Sequence, residues 1–334
     1  MKKLFCIIIS FLALSANAQD PQFSQFYAAP LFLGPSFAGS ADGLRITTNF
    51  RDQWPRLPGE FITYAAGVDN YFTNYRSGVG LFVMHDRAGA GAYSISSFAL
   101  QYCFNAKIAR DLYFKPGLET SYNQRTIDFN SILFADQMNR TFDEDNVPTS
   151  IEAPPKERFN QFDFSSSVLF YSSDYWVGAA VNHLLSLHKS VADNDYYTPL
   201  KISFYGGYRF ELNSGGLHSR ARMENIFIST YFRRQSQLSQ LDFGAYYQKV
   251  PFIFGLWYRG IPLFQGTLSQ DALAVLLGYS WNNFTFGYSY DFTISRLISV
   301  TGGSHEFSFA YVFPSHYSSS NKKKRHQPTP CPIF

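Results

Sequence analysis

Residues 305–313 read His-Glu-Phe-Ser-Phe-Ala-Tyr-Val-Phe, so Phe307, Phe309, Tyr311 and Phe313 fall on one face and Ser308, Ala310 and Val312 on the other. Successive side chains of a strand point to opposite sides, and this stretch therefore predicts an apolar surface backed by small residues. Residues 284–292 repeat the pattern, with Phe284, Phe286, Tyr288, Tyr290 and Phe292 set against Thr285, Gly287, Ser289 and Asp291. A soluble sandwich buries such a face against a second sheet. A transmembrane β-barrel buries it in lipid and keeps the other face for its lumen.

Fourteen segments of this kind can be read between Leu44 and Phe313: 44–52, 61–71, 78–85, 94–107, 112–123, 162–171, 174–183, 200–211, 225–234, 238–249, 252–259, 271–281, 283–292 and 304–313. Most have the roughly 9 to 11 residues with which a tilted strand crosses a bilayer. No helix-period segment interrupts them. Alternation is plain in Phe162, Phe164, Val168 and Phe170, and in Val275, Leu277, Tyr279 and Trp281; it is weak in 44–52, 94–107 and 225–234.

Connection lengths supply an independent test. With both ends of the barrel in the periplasm, the connection after each odd-numbered strand is external and is expected to be the longer kind. Segments 53–60, 86–93, 124–161, 184–199, 260–270 and 293–303 fall outside, whereas 108–111, 172–173, 250–251 and the lone Asn282 fall inside. Two connections break the rule: 212–224 is long yet periplasmic, and 235–237 is short yet external. The fold expected is all-β, a transmembrane antiparallel β-barrel of about 14 strands over 44–313.

Outside the barrel, Met1-Lys2-Lys3, the apolar run 4–14 and Ala16-Asn17-Ala18 read as a secretory signal peptide over 1–18, cleaved near Ala18. The run is shorter than the roughly 20 apolar residues of a spanning helix. Cys6 lies in it without the junction of a lipoprotein signal. Residues 19–43 are apolar without a period of two and are broken by Pro and Gly. Their aromatic side chains are costly to leave in water, which predicts a plug-like segment packed into the periplasmic mouth or the lumen. Residues 314–334 hold a Ser-rich linker, Lys322, Lys323, Lys324 and Arg325, and read as a solvated basic tail in the periplasm.

The 35 Phe, 23 Tyr and 4 Trp make 19% of the chain aromatic, against 16% charged, which interfacial girdles explain better than an ordinary core. Six of the 28 basic residues lie in the leader and the 322–325 cluster, so against 25 acidic ones the body is slightly acidic and gives no reason to invoke nucleic acid. After cleavage the cysteines are Cys103, in a strand, and Cys331, in the tail; both read as free thiols.

No catalytic, metal or cofactor constellation stands out. His85-Asp86 and His305-Glu306 are adjacent pairs whose side chains point to opposite faces of a strand. His183 and His188 straddle a strand end without a metal-ligand spacing and read as loop histidines. Asp143-Glu144-Asp145, in the long loop with Pro154-Pro155, and Asp193-Asn194-Asp195 lack the spaced ligands of a calcium loop. Arg233-Arg234 puts one arginine on each face, so either one lies near a membrane interface or the strand is placed elsewhere.

The start Gln19-Asp20-Pro21-Gln22-Phe23-Ser24-Gln25-Phe26-Tyr27, with Pro30-Leu31 and Pro35-Ser36-Phe37-Ala38-Gly39, closely resembles the opening of the PorP/SprF family of type IX secretion system membrane proteins from Bacteroidetes. Arg51-Asp52-Gln53-Trp54, Ala135-Asp136-Gln137, Gly278-Tyr279-Ser280, Gly287-Tyr288-Ser289-Tyr290-Asp291, Gly303-Ser304-His305-Glu306-Phe307 and the ending Cys331-Pro332 with Phe334 resemble further family motifs in the same order. Gly34 departs from the family, where Asn is common before the Pro, and the basic tail is unusually pronounced.

The resemblance implies an integral outer-membrane protein without enzymatic activity or cofactor. It would serve type IX secretion or its gliding-motility branch and support export or surface attachment of a secreted adhesin-like protein. Partners expected are that client, other type IX components on the periplasmic side, and outer-membrane lipid. Gln22, Phe23, Phe26, Tyr27, Arg51, Gln53, Trp54, Asp136, Gln137, His305 and Glu306 are the expected plug and partner contacts. The competing class is a fatty-acid-channel-like or porin-like transporter of small solutes, which would share the barrel and plug. An outer-membrane hydrolase is a more distant rival.

Overall fold

The computed structural model describes residues 20–41, 43–57, 59, 61–89, 93–127, 158–185, 198–214, 223–261, 272–294 and 302–314. Fifteen strands form one sheet: β1 (Gly43–Gln53), β2 (Phe61–Phe72), β3 (Ser77–Ala88), β4 (Tyr93–Phe104), β5 (Ala106–Ala109), β6 (Leu112–Ile127), β7 (Arg158–Tyr171), β8 (Tyr175–Asn182), β9 (Lys201–Ser214), β10 (Met223–Gln235), β11 (Leu238–Lys249), β12 (Phe252–Ile261), β13 (Ala272–Trp281), β14 (Phe284–Thr293) and β15 (Ser304–Pro314). Each of the fourteen segments expected from alternation is a strand; the one divided is 94–107, where β4 breaks at Asn105 and resumes as β5. Both β4 and β5 pair with β6, and β1 pairs with both β2 and β15. The sheet therefore closes into a barrel of fourteen antiparallel staves with no free edge.

The apolar face points outward. Phe307, Phe309 and Phe313 are exposed while Ser308 and Ala310 between them are buried, and Phe284, Phe286 and Phe292 flank the buried Thr285, Ser289 and Asp291 in the same way. Exposed Phe162, Phe164, Phe204, Phe254, Leu256 and Trp281 carry this surface round the barrel. Such a belt is stable against hydrocarbon and not against water.

Burial alternates in β1 as far as Asp52, although the sequence pattern is weak there. Its inward set is Arg45, Thr47, Asn49 and Arg51, and its outward set includes the polar Thr48. In β10 contrast is lost for the opposite reason: inward Phe227 and Tyr231 are apolar because they meet aromatic side chains in the lumen. Arg233 points inward and Arg234 outward, one residue before the strand's end.

The connections sort by end as expected, and both exceptions persist: the β9–β10 connection is long at the short-connection end, and β10–β11 is tight at the long-connection end. The long 128–157 stretch lies outside the described residues, as do Asp193, Asp195, His188 and Cys331.

Residues 20–41 fill the lumen. They form a 3-10 turn at Phe26–Ala28, one α-helical turn at Pro30–Leu33 and a second 3-10 turn at Pro35–Phe37. Pro30 and Pro35 open their turns, where the missing N–H costs nothing and the fixed φ helps. Phe26, Tyr27, Leu33 and Phe37 pack on Leu169, Tyr171, Trp176, Tyr205, Tyr231 and Trp257 of β7–β12, while Phe23, Leu31 and Ala38 pack on Ala65, Phe82, Ala99 and Cys103 of β2–β4. The wall is cut to admit this segment. A Cβ on Gly117 would lie 2.6 Å from the Pro35 carbonyl carbon and 2.8 Å from Ser36 Cα.

The segment is more than a stopper at the periplasmic mouth. It runs the length of the lumen: Gly39 lies against Asp69, Asn70 and Gly78 at the short-connection end, whereas Asp20 reaches His183 and Gln235 at the long-connection end. Polar anchors at both ends account for that course.

Candidate functional site: the plugged lumen

Three polar anchors hold the plug. At the first, β1 and β15 are paired so that Arg51 stands opposite Glu306, and β14 brings Asp291 beside them. Arg51 pairs with Asp291 and with Glu306, each at 3.0 Å, and Arg259 of β12 adds a 2.7 Å pair to Asp291. All four side chains are buried. Ser24 sits at the centre: its hydroxyl accepts from Arg51 and from Arg259 and donates to Asp291. The Ser24 and Gln25 N–H groups both donate to the Glu306 carboxylate, at 2.7 and 2.9 Å. The Gln25 side chain donates to Ser289 Oγ and the Glu306 carbonyl, and accepts from Ser308. Gln22 Oε1 accepts from Arg233 and Arg259, both of which lie near Asp242.

The second anchor holds the other end. Arg45 forms a fork to Asp69 with two 2.9 Å contacts, and Asp69 also accepts from Gly39 N at 2.7 Å. Arg45 reaches Ser40 Oγ as well. Lys115 Nζ and Cys103 Sγ both donate to the Ala38 carbonyl, at 3.1 and 3.0 Å. The buried Arg45 and Asp69 charges are tolerated because they are paired and hydrogen-bonded, and buried Lys115 donates to a plug carbonyl.

The third anchor joins Asp20 to His183, which stands just past the end of β8. His183 Nε2 lies 2.9 Å from Asp20 and Nδ1 2.5 Å from Asp163, while Lys201 Nζ donates to Asp20 at 2.8 Å. Burial opposes a charge on His183, but Asp20 and Asp163 outweigh it and raise the imidazole to about 9. Burial pushes Asp20 up, yet Lys201 and His183 overrule it and hold that carboxylate well below its ordinary range. His183, expected as a loop histidine, is therefore an anchor of the plug. The missed signal is a contact between residues 163 apart in sequence, beyond the reach of spacing arguments.

Of the residues singled out from sequence, Gln22, Phe23, Phe26, Tyr27, Arg51 and Glu306 come together in the lumen. Phe26 packs on Trp257 with ring centroids 4.7 Å apart, and Tyr27 OH accepts from Trp176 Nε1 at 3.1 Å. Gln53 and Trp54 sit at the long-connection rim instead, where Trp54 N donates to the Gly303 carbonyl and its ring meets Phe61. His305 does not join the plug: it faces outward, 3.0 Å from the Tyr288 hydroxyl. Asp136 and Gln137 lie outside the described residues. His85 and Asp86 part company, His85 to Ser96 and Asp86 to Thr63. Arg45, Asp69, Arg259 and Asp242 escaped notice in the sequence, although a charge at an inward position of a strand was the available signal.

A closed barrel with an outward apolar belt and a lumen filled by its own N-terminal segment defines a plugged outer-membrane β-barrel. The family model described as type IX secretion system membrane protein PorP/SprF matches residues 15–311, most of the chain, and the chain belongs to that family. It is thus an outer-membrane component of type IX secretion.

No curated protein matches the chain in sequence. Among solved structures, the toluene transporter TodX of P. putida is similar at a TM-score of 0.48 and 10% identity, over 84% of this chain and 92% of that one. The KdgM porin is similar at 0.37 and 9%, over 80% and 99%. A mutant porin of Rh. blastica gives 0.36 and 7%, over 81% and 99%.

Proposed function

We propose that this barrel supports export or cell-surface attachment of a secreted adhesin-like protein, in type IX secretion or its gliding-motility branch, and does so without catalysis. The observation that favours this reading is the lumen itself. Aromatic packing and ion pairs at both ends fix residues 20–41 along the axis, so the barrel offers shaped surfaces at its two mouths rather than a path for solute. The long connections, Gln53 and Trp54 face the cell exterior and meet the client; the opposite mouth faces periplasmic components of the system. Residues 1–18 are removed as a signal peptide.

The test compares surface proteins of cells with and without the gene, by protease shaving and mass spectrometry under identical growth. Selective loss of one large secreted protein, with other outer-membrane proteins unchanged, is the expected result. An unchanged surface with impaired uptake of a small solute would replace this reading by a transport barrel.

A further inference from the structure

Among the described residues the outward belt has a gap on the side of β14 to β4. At one level of the barrel, register places Phe286, Phe309, Thr48, Ala66, Val83 and Phe98 side by side across β14, β15, β1, β2, β3 and β4. Three small side chains thus stand between aromatic walls, and they floor a groove of about 570 Å³ on the outer face. Asn49, Ala65 and Ser308 also border it. Their side chains point inward, so what they present to the groove is backbone. One step nearer the long-connection rim the row changes character to Phe307, Phe50, Tyr64, His85 and Ser96, and His85 Nδ1 lies 2.9 Å from Ser96 Oγ. The groove is therefore apolar along its floor and polar at one end, where β3 is three residues from finishing.

We propose that this groove binds one acyl chain of a membrane lipid, with the lipid's polar head at His85 and Ser96. Three observations select that occupant. The groove is continuous with the belt that already faces hydrocarbon, so the phase that fills it is the bilayer. Its volume far exceeds the about 30 Å³ share of a water, and apart from the Thr48 hydroxyl the side chains of its floor give water no partner. Its polar end lies toward the rim, at the depth where headgroups replace acyl chains, and a histidine–serine pair there supplies hydrogen bonds that a bare hydrocarbon contact would leave unused. Phe98 and Phe309 close the sides, so the chain would lie against Val83, Ala66 and Thr48 and restore the smooth outline of the belt.

The test uses the full-length protein purified in mild detergent and examined by native mass spectrometry after repeated detergent exchange. One lipid per barrel is expected to survive on the wild type. Ala66→Trp, which fills the groove from its centre, is expected to lower that occupancy at least about tenfold. Leu81→Trp, on the same outer face but outside the groove, is expected to keep the lipid, and heat-modifiable gel migration checks that both variants form barrels. His85→Leu with Ser96→Leu is expected to leave barrel formation intact and weaken retention by removing the head contacts. Loss of all lipid from the wild type, equal retention by Ala66→Trp, or a dimer mass that disappears on Ala66→Trp would overturn the proposal, the last by assigning the groove to a second copy of the chain.

Discussion

Arg51 and Glu306 face each other directly across the seam between the first and last strands, register partners joined by a 3.0 Å ion pair inside the lumen. The same two side chains hold Ser24, and Glu306 also holds Gln25. Barrel closure and plug docking thus share one buried charge cluster, and each supports the other.

Arg51→Ala removes the group that neutralises both Asp291 and Glu306, leaving Arg259 to serve the cluster. Breaking a buried pair by deleting one partner costs about 3 to 5 kcal/mol. The expected result is a lower temperature for the gel-shift transition of the barrel. Arg51→Lys keeps the charge but loses the fork that reaches two carboxylates, and should fall between alanine and wild type. An alanine variant as stable as wild type would show that the cluster contributes nothing to closure.

Phe26 makes ring contacts with Tyr27, Tyr231 and Trp257, at centroid distances of 4.6 to 4.8 Å. Phe26→Ala should therefore cost about 3 to 5 kcal/mol and loosen the plug, seen as faster proteolysis within residues 20–41. Phe26→Leu keeps most of the apolar volume and should lose clearly less.

These two residues mark what the sequence discloses and what it conceals. The strands are legible because lipid demands an apolar residue at every second position, and Phe307, Phe309 and Phe313 obey. The lumen is harder to read, since part of its wall is apolar too: Tyr231 meets the plug's Phe26 and Phe227 meets Trp176 of β8, which erases the contrast between faces in β10. Family likeness picks out Phe26, Arg51 and Glu306 without saying that they meet. Arg259 joins them only because β12 and β14 lie close enough in the sheet for it to reach Asp291, and Asp242 is its register partner on β11. His305 shows the converse: it sits in a family motif beside Glu306, yet alternation sends it to the outer face.

Gly78 leaves room for the plug at its short-connection end. A Cβ there would overlap the Ala38 carbonyl, 2.7 Å from its carbon, and stand 2.9 Å from Cys103 Sγ. Gly78→Val forces that end of the plug away, at a cost of about 1 to 3 kcal/mol or more. The barrel should still form, because its belt and closure are untouched, and planar-bilayer recordings should show conductance above wild type. A barrel that folds and conducts no better than wild type would mean that the plug adapts without leaving its place.

The Asp20 anchor should make the plug's outer end sensitive to pH on both sides. His183 is raised from its ordinary value near 6.5 to about 9, so its contribution is fully present below 6.5 and is lost as pH rises through about 9. Asp20 is depressed, so its contribution is present above the ordinary carboxylate value and is lost as pH falls below it. Lys201 and Asp163 face the same pair and keep the cluster balanced between these limits. Cysteine introduced at Pro21 in a Cys103→Ala, Cys331→Ala background should react slowly with a water-soluble maleimide at pH 6.5 to 7.5 and faster near pH 9.5, after correction for thiolate formation on a free peptide. In His183→Gln the pH 7 rate should already be raised and the step near 9 should vanish, since no proton is left to lose. A step of equal size in His183→Gln would move the titration to another group and separate His183 from the hold on Asp20.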